Sequence, residues 1–372
     1  MKNNTFDITI DARMIHHSGI GRILREIIFR LADNFKIFLI LPPDGVYYAE
    51  KYSIDYRVSN IPIYHPSEHF TFFFDSKKAK VFWSPHYNIP LFLYPGTKRV
   101  TTICDLNHIE FGSDLSILKR IYSNLTMRLA LLFSKAIITI SAFTKQEINR
   151  YFPGFDKKIN DIHLGIKERG TIDIDVVQKK YSLPDNFMLF VGNVKPHKNI
   201  KVVLQAMTLL TDDQLTKMPL VIVGKKEGFL TPDLTLSSLL ENPRLSSYVH
   251  FLGFVDDEDL DSVYSASSMF VFPSLYEGFG FPPLEAMQNY IPILCSDATS
   301  LPEVCGNAVE YFDAQDASVL SKKIDAFLKN PPLSNQLKYR YDLHLAKFSW
   351  EKCAKKYFDI FESLIISPRN QN

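Results

Sequence analysis

The chain has 372 residues, 46 % of them hydrophobic and 13 % aromatic, with 42 Lys+Arg against 41 Asp+Glu. That composition excludes a disordered chain, and the length exceeds what one hydrophobic core ordinarily supports, so two domains are expected. A net charge of +1 gives no reason to propose a nucleic-acid partner.

The charge is unevenly spread. Residues 1–165 hold 21 Lys+Arg and 15 Asp+Glu, the remainder 21 and 26. A mildly basic first half suits an anionic membrane surface or an anionic acceptor. Cys104, Cys295, Cys305 and Cys353 show no C-x-x-C pairing and read as buried thiols of a reducing compartment. The start, MKNNTFDITIDAR, lacks an apolar h-region, and no run of 18 apolar residues occurs. A cytoplasmic protein is expected, with peripheral contact to the cytoplasmic face of a membrane as a further expectation.

In chain order, short apolar runs alternate with amphipathic stretches, the pattern of parallel α/β sheets. Phe6–Ile10 is the first expected strand, and apolar residues from Ile20 to Leu31 then recur at helical spacing. Ile37–Leu41, Val81–Trp83, Val100–Ile103 and Ala136–Ile140 complete one strand set. A second set runs through Phe187–Val191, Leu220–Val223, His250–Leu252, Met269–Phe272 and Ile293–Cys295. Between them, the polar, poorly periodic stretch from Gly165 to Asp175 is the expected linker. An amphipathic helix over 350–366 closes the chain.

Ligand crevices of such sheets lie beyond the carboxyl ends of the strands, so the strand-to-helix turns hold the candidates. The first runs Asp11-Ala12-Arg13-Met14-Ile15-His16-His17-Ser18-Gly19-Ile20-Gly21-Arg22, where glycine lets backbone approach an anion or simply makes a bend. Further on, His69–Phe74 with Lys77, Lys78 and Lys80 mixes aromatics and cations, reading either as a buried face beside a charged loop or as a lipid-interface patch. Val81–Pro90 and Ile140–Lys145 follow strands, and Ser141 is placed to cap a helix. Val100-Thr-Thr-Ile-Cys104-Asp105-Leu-Asn-His108 offers Asp105 and His108, with Asp105 equally able to cap the next turn.

The second strand set carries the stronger signals. Phe190-Val-Gly192-Asn193-Val-Lys195-Pro-His197-Lys198-Asn199 puts a lysine at a helix start. A cation there is mildly unfavourable for the helix dipole and hints at an anionic ligand, although a solvated lysine reads the same. In Pro273-Ser-Leu-Tyr-Glu277-Gly278-Phe279-Gly280-Phe281-Pro-Pro-Leu-Glu285-Ala-Met287, two carboxylates bracket a glycine turn, and a double proline suits a first helical turn. Carboxylates beside an anion-attracting helix start fit a ligand bearing hydroxyls as well as phosphates. A sugar nucleotide is such a ligand. Helix and turn formation alone would also use these residues.

The string from Pro273 to Met287 closely resembles the signature of the family 4 glycosyltransferases, retaining enzymes of the GT-B fold. The resemblance runs in order over nearly the whole chain and is strongest at 187–199 and 250–305. It implies two Rossmann-like doubly wound parallel-sheet domains facing across a cleft. Residues 1–168, joined by the helix 350–372, would form the acceptor domain, and 169–349 the nucleotide-sugar donor domain.

The resemblance also implies roles. Gly19, Gly21 and Arg22 would border the donor phosphates and the acceptor. Gly192, Asn193 and Lys198 would line the donor site, with Lys198 on the diphosphate; Gly224 and Lys225 would lie near the nucleotide. Glu277, with Gly278, Gly280 and backbone N–H groups of Phe279 to Phe281, would hold the donor sugar, and Glu285 the ribose hydroxyls. Glu303, in Ser300–Val304, would border the same site. Glu277, Lys198, His108 and Asp105 form the expected catalytic set.

Four departures stand out. Asn193 and His197 occupy places often held by arginine, leaving Lys195 as a substitute cation. Cys104 stands where the related T-I-H-D-L string has histidine, so that role has passed to His108 or is dispensed with. Tyr290 stands where glycine is usual.

The expected reaction is metal-independent and retaining, with no cofactor beyond a nucleotide-sugar co-substrate. Strings such as G-N-V-K-P-H-K-N resemble those of bacterial polysaccharide mannosyltransferases, favouring GDP-mannose over a UDP-sugar. The expected acceptor is a glycan or lipid-linked oligosaccharide, as in bacterial polysaccharide or lipopolysaccharide synthesis. The rival reading is a non-catalytic GT-B-like partner or scaffold protein.

Overall fold

The computed structural model describes residues 6–76, 79–111, 116–224 and 234–366. The chain separates into two compact units: one runs to Gly165 and resumes at Phe348, and the other is Ile166–Lys347. The boundaries fall at 165/166 and 347/348, two or three residues before those expected.

Among the described residues, the first unit is built on a seven-stranded parallel sheet. Its strands are β1 (Phe6–Asp11), β2 (Ile37–Leu41), β3 (Asp55–Val58), β4 (Ala79–Ser84), β5 (Lys98–Ile103), β6 (Ala136–Thr139) and β7 (Ile159–Asp161), in the order β3-β2-β1-β4-β5-β6-β7. Every residue of β2 is buried, because helices cover both faces of such a sheet and a central strand has no wet side. The edge strands β3 and β7 are largely exposed. Their polar sequences hid them from a reading based on apolar runs.

The helix Ser18–Leu31 turns Ile23, Leu24, Ile27, Ile28 and Leu31 onto the sheet. The closing helix, Trp350–Ile366, packs on the same unit through Trp350, Cys353, Ala354, Tyr357 and Phe361. Tyr357 and Phe361 flank Trp83 of β4 at ring-centroid distances of 5.3 and 5.6 Å. Arg30 pairs with Glu351 at 2.8 Å. A sequence reading alone left this helix equally compatible with the second unit.

The second unit holds a six-stranded parallel sheet. Its strands are β8 (Met188–Val191), β9 (Leu220–Val223), β10 (Val249–Gly253), β11 (Met269–Phe272), β12 (Ile293–Ser296) and β13 (Glu310–Phe312), ordered β10-β9-β8-β11-β12-β13. One core joins Phe190, Val203, Leu204, Ile222, Val271 and Leu320. The expected linker is not loose over its second half. Arg169 donates to Asn289, Gly170 N–H to Asp261, and Asp173 N–H to Ser262. That stretch is polar because it hydrogen-bonds to the second unit.

Candidate functional site

The strand order of the second sheet places its switch point at β8, from which β9 and β11 diverge in opposite directions. Such a point opens a crevice beyond the carboxyl ends. Three adjacent strands end here in glycines with positive φ: Gly192 (152°), Gly224 (141°) and Gly253 (71°). A Cβ on Gly224 would lie 2.2 Å from the Gly192 carbonyl oxygen, so no side chain fits at this floor. Gly253 escaped the sequence reading, since a glycine ending a strand gives no motif by itself.

Lys198 leaves the loop after β8, within the short turn Pro196–Lys198, and Glu277 leaves the loop after β11. Lys198 Nζ lies 2.5 Å from Glu277 Oε1, both side chains being mostly buried. The ammonium also sits 5.5 Å from the centre of the Phe272 ring. Leu275 N–H donates to the His197 carbonyl at 2.8 Å, tying the two loops together. Asn199, at φ 54°, donates to the carbonyls of Pro273 and Ala314. Burial holds His197 down at about 4, helped by Lys198 and opposed by Glu277. That ring is therefore neutral at pH 7. Lys195 and Asn193 are exposed in the same loop.

The glutamate turn is held from behind by the loop after β12, where the sequence reading had marked Ser300, in Ser300–Val304, but not Thr299. Thr299 Oγ1 accepts from Glu277 N–H at 3.0 Å, and Ser300 Oγ donates to the carbonyls of Glu277 and Phe279. Gly278 and Phe279 are buried within this turn. Gly280 takes φ 109° just before the helix Phe281–Gln288, and a Cβ there would meet Leu301 at 2.8 Å. Phe281 packs edge-on against Phe279 at 5.3 Å. Glu285, one turn into the helix, accepts from Tyr264 OH at 3.2 Å. Glu303 lies on the following helix, Leu301–Cys305. Lys225 lies outside the described residues.

Three pairs of aspartates have the D-x-D spacing associated with metal-bound phosphates. Asp173 and Asp175 form one, but Asp173 caps the helix Ile174–Tyr181 by accepting from Val176 N–H. Asp257, Asp259 and Asp261 form the other two; Asp257 is exposed, Asp259 pairs with Lys180 at 2.6 Å, and Asp261 accepts from Gly170 and Asn289.

In the first unit, the glycines of the first turn differ from each other. A Cβ on Gly21 would fall 2.4 Å from the Ile15 carbonyl oxygen, so that residue serves close packing of helix on loop. Gly19 is exposed in the first turn of its helix, and a Cβ there would have nothing within 4 Å. Arg22 follows, half-buried.

Asp105 Oδ1 accepts from Asn107 N–H at 3.0 Å, the turn-capping arrangement. The His108 ring stacks on Tyr87 at 4.2 Å, and its Nε2 is buried without a hydrogen-bond partner. Burial holds its pKa at about 4. Burial, with Asp105 beside it, pushes the Cys104 thiol up, so the thiolate is suppressed. Asp105 and His108 lie in the first unit, whereas Lys198 and Glu277 lie in the second.

A buried ionic network at the end of β1 went unread in the sequence. Arg13 bridges Asp11 at 2.6 Å and Glu68 at 3.3 Å, and His86 Nε2 lies 3.3 Å from Asp11. Asn88 donates to Glu68 at 2.6 Å and accepts from Tyr122 at 2.8 Å. Burial alone would raise Asp11; the hydrogen bond and charge of Arg13, aided by His86, outweigh it and hold the carboxylate well below its usual range. Glu68 lies 55 residues from Arg13, so no local pattern announces the pair.

Two all-parallel units with these strand orders define the GT-B class. Residues 173–342, within the second unit, match the family described as Glycosyl transferases group 1. The chain resembles bacterial mannosyltransferases. It is 34 % identical over 236 residues to O-antigen chain mannosyltransferase B of Escherichia coli, covering 62 % of this chain and 61 % of that protein. It is also 34 % identical over 241 residues to the serotype-specific mannosyltransferase WbdA of Escherichia coli, covering 63 % and 29 %. The chain thus spans less than two thirds of the length of these relatives.

Solved structures show the same fold. HepE of Anabaena, in complex with UDP and glucose, superposes with a TM-score of 0.77 at 15 % identity, covering 96 % of this chain and all of that one. WaaG, a glycosyltransferase involved in lipopolysaccharide biosynthesis, superposes with a TM-score of 0.69 at 14 % identity, covering 95 % and 99 %.

Proposed function

We propose that the protein is a retaining, metal-independent glycosyltransferase that moves a hexose, mannose in the first instance, from a nucleotide-diphosphate sugar to a glycan or lipid-linked glycan. The observation that carries the reading is the Lys198–Glu277 pair over the glycine-ended strands of the second unit. A cation and a carboxylate held 2.5 Å apart can part to serve a diphosphate and a sugar hydroxyl respectively. In the protein alone each satisfies the other, which limits the cost of burying them.

Glu285 would accept hydrogen bonds from the ribose hydroxyls. Lys198 and the N-terminal end of the helix Phe281–Gln288 would stabilise the departing diphosphate as its charge develops. The two prolines after Phe281 donate no N–H, so Lys198 carries more of that task than a helix start usually leaves to a side chain. Attack by the acceptor on the face the diphosphate leaves would retain configuration without a protein nucleophile. The acceptor is assigned to the first unit, whose β1, β4 and β5 ends hold the Asp11–Arg13–Glu68 network and the Tyr87–His108 stack.

Mannose is favoured because the 34 %-identical relatives are mannosyltransferases. Their names also favour turnover over a scaffold role. Thermal stabilisation by GDP-, UDP- and dTDP-sugars, followed by donor hydrolysis, tests the reading. GDP-mannose is expected to raise Tm most and to be cleaved slowly with water. Absence of stabilisation by all three sugar nucleotides would refute donor binding.

A further inference from the structure

We propose that a cavity at the amino ends of the second unit's strands binds a neutral oligosaccharide, a stretch of glycan held apart from the donor crevice. The choice of a glycan rests on the transferase reading above. The cavity measures about 640 Å³, and its wall includes Asn186, Met218, Ser268 and Pro292, which lead into β8, β9, β11 and β12. The Lys198–Glu277 pair and the glycines of the crevice floor follow the opposite ends of these strands. Each of the four strands has four residues, at about 3.3 Å per residue, so the thickness of the sheet separates the two places.

Helix direction decides the chemistry. In a parallel α/β unit the helices run back against the strands and end at this edge. Asp212–Lys217, Leu260–Ala266, Phe281–Gln288 and Ala317–Lys329 all finish beside the cavity, which Lys217, Ser265, Asn289 and Phe327 line. One helix, Ser334–Leu345, begins there. Helix ends carry carbonyls without intrahelical partners and the negative pole of the dipole. Four such ends against one start disfavour a phosphate or carboxylate and favour a donor of hydroxyl hydrogens.

A cationic ligand is unsuited as well. Lys217 stands on the wall, Arg169 and Lys338 lie 5.5 and 5.6 Å from the centre of the Tyr290 ring, and among the described residues no carboxylate lines the cavity. What remains are uncharged groups. Ser268 Oγ donates to Asn186 Oδ1 at 3.2 Å and keeps lone pairs for a further donor. Phe327, Pro331 and Leu337 add apolar surface. A few hydrogen-bonding groups set in apolar walls suit pyranose rings, which bear hydroxyls at their edges and C–H groups on their faces.

Tyr290 gives the site a feature particular to this chain. It stands where glycine is usual, yet lines the cavity at φ 57°, a backbone conformation strained for a tyrosine. Strain kept at a cavity wall points to a use for the ring.

Calorimetric titration of the full chain with α-linked mannotriose tests the proposal, with inorganic phosphate as competitor. Mannotriose is expected to bind and phosphate to leave its affinity unchanged. Tyr290→Gly, relaxed at that φ, and Ser268→Trp, whose indole would fill the space, should each weaken binding about tenfold, the scale of one or two hydrogen bonds. Tm of Tyr290→Gly and donor hydrolysis by both variants should stay close to wild type. No binding, equal affinity in wild type and both variants, or displacement by phosphate would overturn the proposal. So would parallel loss of sugar binding and donor hydrolysis in both variants, which would place the sugar at the donor crevice. A wild-type chain that binds mannotriose in this variant-sensitive way but cleaves no sugar nucleotide would refute the donor reading alone.

Discussion

Lys198 and Glu277, 79 residues apart, meet at 2.5 Å because β8 and β11 are hydrogen-bonded neighbours in the second sheet. Sheet topology converts two separate strand-end loops into one charged pair. Thr299 and Ser300 hold the glutamate's backbone, and Asn199 holds the lysine's loop against Pro273. The pair is a fixed feature of the second unit rather than a chance surface contact.

Lys198→Met should cut donor turnover by about a hundredfold or more, the scale of losing one charge stabiliser of a transition state. It should also cost roughly 1–3 kcal/mol by leaving a mostly buried carboxylate unsatisfied. The double variant Lys198→Met, Glu277→Gln separates the two effects: stability should recover and turnover should not. Recovery of both in the double variant would remove Lys198 from the chemistry.

Glu285→Ala should weaken nucleotide binding by about tenfold, the loss of one or two charge-assisted hydrogen bonds. Unfolding should change little, because Glu285 is only half-buried. Calorimetric titration with the nucleotide checks this, and wild-type affinity would contradict the ribose assignment.

The two glycines of the first turn should respond oppositely to alanine. Gly21→Ala drives a Cβ to within 2.4 Å of a backbone oxygen and should destabilise the first unit by several kcal/mol or prevent its folding. Gly19→Ala meets open space in a helical turn and should be neutral or stabilising by up to about 1 kcal/mol. Thermal melts of the two variants distinguish a packing role from a shared ligand role. A turnover loss in folded Gly19→Ala would put that backbone at a ligand.

Acid should weaken the first unit through His108. The folded pKa, about 4, lies below the usual histidine value of about 6.5. Between those values the unfolded chain binds a proton that the native ring refuses, so stability is full above about pH 6.5 and falls as pH drops toward 4. The loss is on the order of 1–3 kcal/mol. His108→Phe preserves the ring on Tyr87 and should flatten the difference in urea midpoint between pH 7 and pH 5. An unchanged difference would show that His108 titrates normally.

Much of the architecture was legible because buried parallel strands are short unbroken apolar runs. Ile37–Leu41, Leu220–Val223 and Met269–Phe272 match the observed strands to the residue. The strands that escaped, Asp55–Val58, Ile159–Asp161 and Glu310–Phe312, sit at sheet edges. There, solvent permits polar residues and erases the apolar signal. Tyr290 shows another kind of legibility. Its φ of 57° explains why glycine suits that place, and its hydroxyl's hydrogen bond to Asp342 at 2.9 Å helps offset the strain.

Sequence alone determined the alternation of strand and helix, the glycine-rich turns, and the residue types available beside them, because these are set by neighbours within a few positions. Folding decided which turns share a site. Strand order brought Lys198 to Glu277 and Arg13 to Glu68, placed Glu285 under Tyr264, and assigned Gly21 to packing while leaving Gly19 open. It also left an apolar stripe of the helix Ile117–Phe133 facing outward. Periodicity shows how a segment can present a face, but only the packed chain determines what that face meets.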